Sequence, residues 1–317
     1  MNDIKDKSDG LTEIHLASTQ GFCAGVASAI EVVDRGLEKY GAPLYVRHHI
    51  VHNTRVISEF ESKGVIFIEN LDDVPENNTV IFSAHGTAPL EYVKAQKRGL
   101  KIIDATCPLV SKIHRQAVRF SEMGVQTVLI GHKGHQELIG TSGYVDQNLL
   151  FIVEDVDDVH KLDLDPLFPI GYITQTTLSV DDTQLIIQAL KEKYPDTQGP
   201  PKADICFATT NRQNSVKEIT SVCDIIVVCG SPQSSNSNRL RETSSALGID
   251  SYIIDDVSEF NFDWLNGKKK LGITSGASVP QIIVDELVDL ISSRYKNITI
   301  FQSENIEKGI KFPLPNI

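Results

Sequence analysis

Short β-branched runs alternate with helix-like stretches along almost the whole chain, and that alternation restricts it to an α/β fold. APLYVRHHI, GVIFI, NTVIFSAHG, KIIDATC, VQTVLIGH, LLFIVED, IGYITQ, CDIIVVCG, SYIIDD and KLGITSG all read as strands. Helices are expected after Cys23, after Cys107, and over 180–194, 237–247 and 279–295. Many of the strand runs end in Gly, Ser, Thr, His or Cys and lead into a helix. In open parallel sheets those carboxyl ends are where ligands collect. The Pro- and Gly-rich segment YPDTQGPPKAD, around 195–202, reads as a linker, and FNFDWLNGKKK as a surface connection. There is no low-complexity segment and no strict repeat, only the recurrence of a strand ending in a polar loop.

Three of the five cysteines stand at such places. Cys23, Cys107 and Cys206 each follow a strand-like run, in IHLASTQGFCAGV, KIIDATCPLV and ADICFATT. They are too far apart in sequence for a local metal knuckle, so any shared centre must be assembled by the fold. Pro108 suits a first helical turn and puts Cys107 at a helix N-terminus, where the dipole favours a thiolate. Cys23 also opens a helix, whereas ICFATTNRQNSVKEI places Cys206 ahead of a polar turn. One such cysteine alone reads as a buried structural thiol. Three in matching contexts point to a soft metal centre or redox chemistry. Zinc calls for four closed ligands or His in place of Cys, while three thiolates suit an iron–sulfur cubane with one iron open. Cys223 and Cys229 bracket the run DIIVVC and are expected to share a strand face in the core.

Composition sets the surroundings of this chemistry. A chain of 317 residues with 41% hydrophobic residues can bury a large core and divide into two or three domains. Its net charge of -12 disfavours nucleic acid or anionic membrane as the main partner. The opening MNDIKDKSDG is polar, with no apolar core for a signal peptide, and no apolar run approaches a membrane span. A cytoplasmic protein is expected, and with it free thiols or thiolate ligands rather than disulfides.

Histidines recur at the strand ends: His48, His49 and His52 in HHIVHN, His85 in FSAHG, and His132 and His135 in GHKGHQE. A lone His is more often structural than functional, but Gly-flanked His at strand ends could face one cleft. Glu137 lies close enough to His135 to share a proton network. A carboxyl in a dry site is pushed toward protonation and can deliver a proton at neutral pH; a solvated loop Glu cannot.

Two further segments have anion-binding form. VVCGSPQSSNSNRL runs strand, Ser/Asn-rich turn, helix, with Ser234, Ser235 and Asn236 near the helix N-terminus. GITSGASVP repeats the arrangement with Ser278 ahead of Pro280. Each is either a helix cap or a phosphate cradle without a P-loop lysine. With His52 and His85 they make a donor set for a phosphorylated small molecule. TQTTLSVDDT adds Thr174, Thr176 and Thr177; capping explains Ser179 or Asp181 there better than it explains Thr176.

GFCAGV, HHIVHN, FSAHG, DATCPLV, GHKGHQE, TQTTLSVDDT, DICFATTNRQ, GSPQSSNSNRL and TSGASVP together resemble the signatures of the 4-hydroxy-3-methylbut-2-enyl diphosphate reductases, the LytB family. The motifs are many, long and ordered, and only the first ten or so residues and the C-terminal tail lie outside them. The resemblance implies three α/β domains with mostly parallel sheets in pseudo-threefold arrangement: 25–107, 108–202, and 12–24 with 203–290, followed by a tail over 291–317. It implies a central [4Fe-4S] cluster held by Cys23, Cys107 and Cys206 with one open iron. Diphosphate binding would fall to His52, His85, Ser234, Ser235, Asn236 and Ser278. His135, Thr176 and Glu137 would serve the reacting hydroxyl, with Glu137 as proton donor. The implied reaction is reductive dehydroxylation to isopentenyl and dimethylallyl diphosphate, the last step of the methylerythritol phosphate route, with electrons from a ferredoxin or flavodoxin. Lys133 and Gln136 depart from some relatives without touching these positions. The residues by themselves leave two other readings: a non-catalytic iron–sulfur or zinc sensor, and a phosphosugar-binding α/β enzyme with incidental cysteines.

Overall fold

The computed structural model describes residues 10–317; the polar opening at 1–9 lies outside the described residues. Among the described residues the strands are β1 Glu13–Leu16, β2 Leu44–Arg47, β3 Val65–Ile68, β4 Thr79–Phe82, β5 Lys101–Asp104, β6 Gln126–Ile130, β7 Leu150–Val153, β8 Ile170–Thr174, β9 Ile225–Cys229, β10 Asp250–Ile254, β11 Lys270–Ser275 and β12 Thr299–Gln302. The α-helices are α1 Ala24–Tyr40, α2 Thr54–Ser62, α3 Pro89–Lys97, α4 Pro108–Glu122, α5 Gln136–Ser142, α6 Val156–Lys161, α7 Val180–Lys193, α8 Phe207–Thr220, α9 Ser235–Ala246 and α10 Gln281–Arg294. Every strand run read from the sequence is present. Among the described residues, no helix is long and apolar enough to cross a membrane.

The chain divides into two compact units. The first comprises the described residues up to Cys23, His52–Arg55 and Thr210–Gly309. It holds one five-stranded sheet in the order β10-β9-β11-β1-β12, parallel at every pairing. Its interior strand β9 is buried on both faces, as a parallel strand covered by helices must be. Ile225, Val227 and Cys229 pack with Ile283, Val284, Leu287 and Ile291 of α10 on one face. Ile226 and Val228 pack with Val216 of α8 and Leu240 of α9 on the other. Each such side chain removed from water contributes about 1.5–3 kcal/mol before entropy is counted.

The second unit, Ala24–Val51, Val56–Thr209 and Ile310–Ile317, holds two parallel sheets ordered β3-β2-β4-β5 and β7-β6-β8. Amphipathic α4 buries Val110, Ile113, Ala117 and Phe120, a helical stripe that its sequence already displays. Pro108 and Pro89 occupy the first turns of α4 and α3, where the missing N–H costs nothing. Beyond β8 the chain bridges back to that strand at Gly171 and Gln198. Tyr172 N–H donates to the carbonyl of Gln198 and Gln198 N–H to that of Ile170, both at 2.9 Å. The 195–202 linker therefore runs beside β8 as a rudimentary fourth strand.

Four sequence expectations change. Cys206 precedes a helix, α8, rather than a polar turn; the helix buries Arg212, Gln213, Ser215 and Thr220 beside its apolar residues, which masks the apolar period. Cys223 and Cys229 do not share a face. Cys223 lies before β9 begins and packs with Ile226 and Val228, whereas Cys229 packs with Ile225 and Val227. The FNFDWLNGKKK connection is partly core: a 3-10 turn at Phe262–Leu265 buries Leu265, next to buried Phe260. The tail assigned to 291–317 contributes β12, an exposed edge strand parallel to β1.

Candidate active site

In each sheet the connections leave one interior strand in opposite directions, which opens a crevice at the carboxyl ends of two neighbouring strands. The three crevices lie between β2 and β4, β6 and β8, and β9 and β11. The candidate residues stand on the loops that follow these strands. His52 and His85 follow β2 and β4, His135 with Glu137 and Thr176 follow β6 and β8, and Ser234–Asn236 and Ser278 follow β9 and β11.

The cysteines repeat one relation three times. Each stands one residue before a helix, α1, α4 or α8. Each gives its backbone N–H to a carbonyl two residues beyond the end of the neighbouring strand: Cys23 to Ala277 past β11 (3.1 Å), Cys107 to Ala84 past β4 (3.1 Å) and Cys206 to Thr176 past β8 (3.2 Å). The structure thus contains an internal repetition that the residue types do not spell out. All three cysteines are half-buried, while Cys223 and Cys229 are buried. Burial pushes the Cys223 and Cys229 thiols up to about 12 and holds them protonated. At Cys206 the Sγ accepts from Thr209 N–H at 3.4 Å and lies 3.2 Å from the Thr209 hydroxyl, donors that suit a thiolate. Three half-buried cysteines at helix N-termini fit the donor set of an iron–sulfur cluster. Among the described residues no group of three or more His, Cys, Asp or Glu is arranged for a single metal ion.

In the second unit, Glu137 is 3% exposed in the first turn of α5. Its two oxygens accept the N–H and the hydroxyl of Thr176, each at 2.7 Å. Burial pushes its carboxyl up to about 7, against the opposing pull of the two Thr176 hydrogen bonds; the Asp204 charge adds to the rise. His135 is the N-cap of α5, its Nδ1 accepting from Glu137 N–H at 3.2 Å. A neutral His135 therefore carries its proton on Nε2. The rings of His135 and His85 meet edge to face with centroids 5.9 Å apart. Gly86 has φ +85, and a Cβ there would meet His114 Cε1 at 2.4 Å; at Gly140 of α5 a Cβ would meet the Gly86 carbonyl at 2.8 Å. Glycine at 86 lets the His85 loop lie against His114 of α4, and glycine at 140 lets the same loop lie against α5.

In the first unit, Ser234 is the N-cap of α9 and accepts from Ser237 N–H at 3.3 Å. Ser235 is the first helical residue, and Asn236 is 4% exposed with neither its Oδ1 nor its Nδ2 bonded to any protein group. A buried amide left unsatisfied costs about 1–3 kcal/mol, a cost that no contact within the helix offsets. Ser278 does not cap α10; its hydroxyl donates to the His52 carbonyl at 3.0 Å and ties the two loops together.

Other sequence candidates have structural employment. His48 pairs with Glu69 at 2.5 Å, and His49 packs edge-on against Phe67. Ser179 caps α7 through Asp182 N–H at 3.2 Å, as capping reasoning has it. The sequence reading missed Gln175, whose Oε1 accepts His132 N–H at 3.1 Å and whose Nε2 donates to Thr177 at 2.8 Å. Its place at the end of β8 was the available signal. Cys23, His52, Ser234, Ser235, Asn236 and Ser278 fall in the first unit, and Cys107, Cys206, His85, His135, Glu137 and Thr176 in the second.

Known proteins carry the same architecture. The chain is 47% identical over 303 residues to a 4-hydroxy-3-methylbut-2-enyl diphosphate reductase of Dechloromonas aromatica, covering 96% of this chain and 98% of that protein. The solved E-1-hydroxy-2-methyl-but-2-enyl-4-diphosphate reductase of Plasmodium falciparum is 38% identical and superposes with a TM-score of 0.93 over 96% of both chains. A second solved structure, described as (E)-4-hydroxy-3-methyl-but-2-enyl diphosphate reductase and as the terminal enzyme of the non-mevalonate pathway, is 30% identical with a TM-score of 0.63, over 89% of this chain and all of that one. The LytB protein family model matches residues 14–292, and the chain belongs to that family.

Proposed function

We propose that this protein is a 4-hydroxy-3-methylbut-2-enyl diphosphate reductase: it removes the allylic hydroxyl of that diphosphate with two electrons and two protons, releasing water and forming isopentenyl and dimethylallyl diphosphate. The observation that carries the reading is Glu137, a buried carboxyl with its pKa raised to about 7 and both oxygens held by Thr176. Such a group is half protonated at neutral pH and aimed, as a general acid requires. The family membership and the relatives' printed activity point the same way.

In this reading Cys23, Cys107 and Cys206 hold a [4Fe-4S] cluster with one open iron, which when bound supplies electrons singly and a Lewis-acidic site for the hydroxyl. A ferredoxin or flavodoxin delivers the electrons, and the cytoplasm is the compartment. The domain division at 25–107, 108–202 and 12–24 with 203–290 belongs to the same proposal, supported by the separate sheets.

The protein's own residues supply position and protons. In the ionised state Thr176 donates its hydroxyl to Glu137. A protonated Glu137 reverses that bond, and the Thr176 proton turns to the substrate oxygen, so that the leaving group departs as water. His135 presents Nε2–H to the same hydroxyl. His52, His85, Ser234, Ser235, Asn236 and Ser278 take the diphosphate, and the unsatisfied amide of Asn236 is the strongest support for that assignment. Binding the diphosphate orients the carbon skeleton before any electron arrives. The second proton, to carbon, can come from the diphosphate itself.

Anaerobic incubation of iron-loaded protein with the diphosphate and a strong one-electron reductant tests the proposal. The two isomeric products should appear; an iron-loaded protein that leaves the substrate unchanged overturns it.

A further inference from the structure

The three cysteine segments are not held equally. Cys107 follows β5, which pairs with β4 through four residue positions, and Cys23 follows β1, which pairs with β11 through four. Among the described residues, the segment leading to Cys206 has a single β-bridge, that of Gln198 to Gly171. What restrains it is an ion pair. Lys112, on α4 in the turn after Cys107, donates from Nζ to the carbonyls of Lys202 (3.0 Å) and Ala203 (3.2 Å) and reaches Oδ1 of Asp204 at 3.3 Å. The Asp204 side chain is 0% exposed, and its Oδ2 accepts the N–H of Thr174, the last residue of β8, at 3.2 Å. Two residues on, Cys206 gives its N–H to Thr176.

We propose that Lys112 and Asp204 form a clamp that fixes the Cys107 and Cys206 loops relative to each other, and that this clamp governs how tightly the cluster is retained. The inference rests on the reading of both cysteines as cluster ligands. Burying a carboxylate is costly unless it is paired and fully hydrogen-bonded, and an extended β-ladder would have held the chain without that cost. A charged pair at this point makes physical sense as a substitute for the missing ladder: its two ends grip α4, which begins beside Cys107, and β8, which leads to Thr176. Lys112 and Asp204 touch neither reacting atoms nor sulfur, so they are positioning residues. Outer partners of this kind hold ligands in orientation rather than bind the metal themselves.

The test is the rate at which a chelator strips iron from anaerobically reconstituted protein, followed by the cluster's absorbance and by Mössbauer spectra. Lys112→Met and Asp204→Asn should release iron about 10- to 100-fold faster than the parent, the size of the affinity loss on removing outer partners of metal ligands carried over to the release rate. Lys112→Arg, which keeps the charge and several donors, should restore slow release. Ser179→Ala serves as a control: it loses a helix cap remote in role from the cluster and should lower thermal stability without altering release. Parent-like release from both Lys112→Met and Asp204→Asn overturns the clamp; where one of them does not fold, the other decides. A parent protein that takes up no cluster overturns the cysteine assignment instead, so the two failures are distinct.

Discussion

Cys206 gives its backbone N–H to the carbonyl of Thr176 at 3.2 Å, and Thr176 gives its own N–H and hydroxyl to the two oxygens of Glu137 at 2.7 Å each. A proposed cluster ligand and the proposed proton donor therefore hang on a single residue at the end of β8. Geometry set at one is inherited by the other, without a long lever arm in which precision would be lost.

Glu137→Gln removes the transferable proton while keeping the size of the side chain and one acceptor for Thr176. Turnover should fall by about 100- to 10,000-fold, the usual contribution of a positioned general acid. Iron content and the substrate dissociation constant should stay near those of the parent. Near-normal turnover in this variant would remove Glu137 from the mechanism.

The raised carboxyl fixes a pH dependence. Its folded value of about 7 lies above the ordinary 4.5, so the folded protein favours the protonated form. Its stabilising effect is complete below about pH 4.5 and is lost as pH rises through about 7. Turnover should decline above about pH 7 for the same reason, by tenfold per unit where this proton limits the rate. An infrared carbonyl band that titrates near neutrality and vanishes in Glu137→Gln would identify the group; a band titrating near 4.5 contradicts the assignment.

Asn236→Ala deletes the buried amide that no protein group satisfies. Because the free protein has nothing to lose there, its thermal stability should hold or rise. Affinity for inorganic diphosphate, measured by calorimetry, should weaken about tenfold, in line with about 1.5 kcal/mol for a hydrogen bond to a charged group. Unchanged diphosphate affinity would leave Asn236 outside the binding set.

Alkylation should divide the cysteines into two classes. In folded protein freed of iron, iodoacetamide near pH 8 should modify the half-buried Cys23, Cys107 and Cys206, and peptide mass spectrometry should find Cys223 and Cys229 unmodified. Burial holds the last two as thiols, pushed up to about 12, and thiols are poor nucleophiles. Labelling of Cys229 at a rate like that of Cys107 would count against this division.

Much of this protein is legible in its sequence by itself. β-branched runs punctuated by Gly, Ser and His determine the strands and their functional ends, because local propensity and turn chemistry act over a few residues. Pro108 places Cys107 at a helix start, and Ser179 is recognisable as a cap, for the same reason. What only tertiary structure decided depends on partners far away in the chain. Cys223 and Cys229 fall on opposite faces because β9 begins after Cys223, a boundary set by pairing with β10 and β11. α8 is hidden in sequence because its buried polar residues break the apolar period. The pairing of Glu137 with Thr176, the unsatisfied amide of Asn236 and the grip of Lys112 on Asp204 were invisible for a common physical reason. Burial and long-range hydrogen bonding, not residue type, turn a carboxyl, an amide or an ammonium into a functional group, and only the folded chain brings them about.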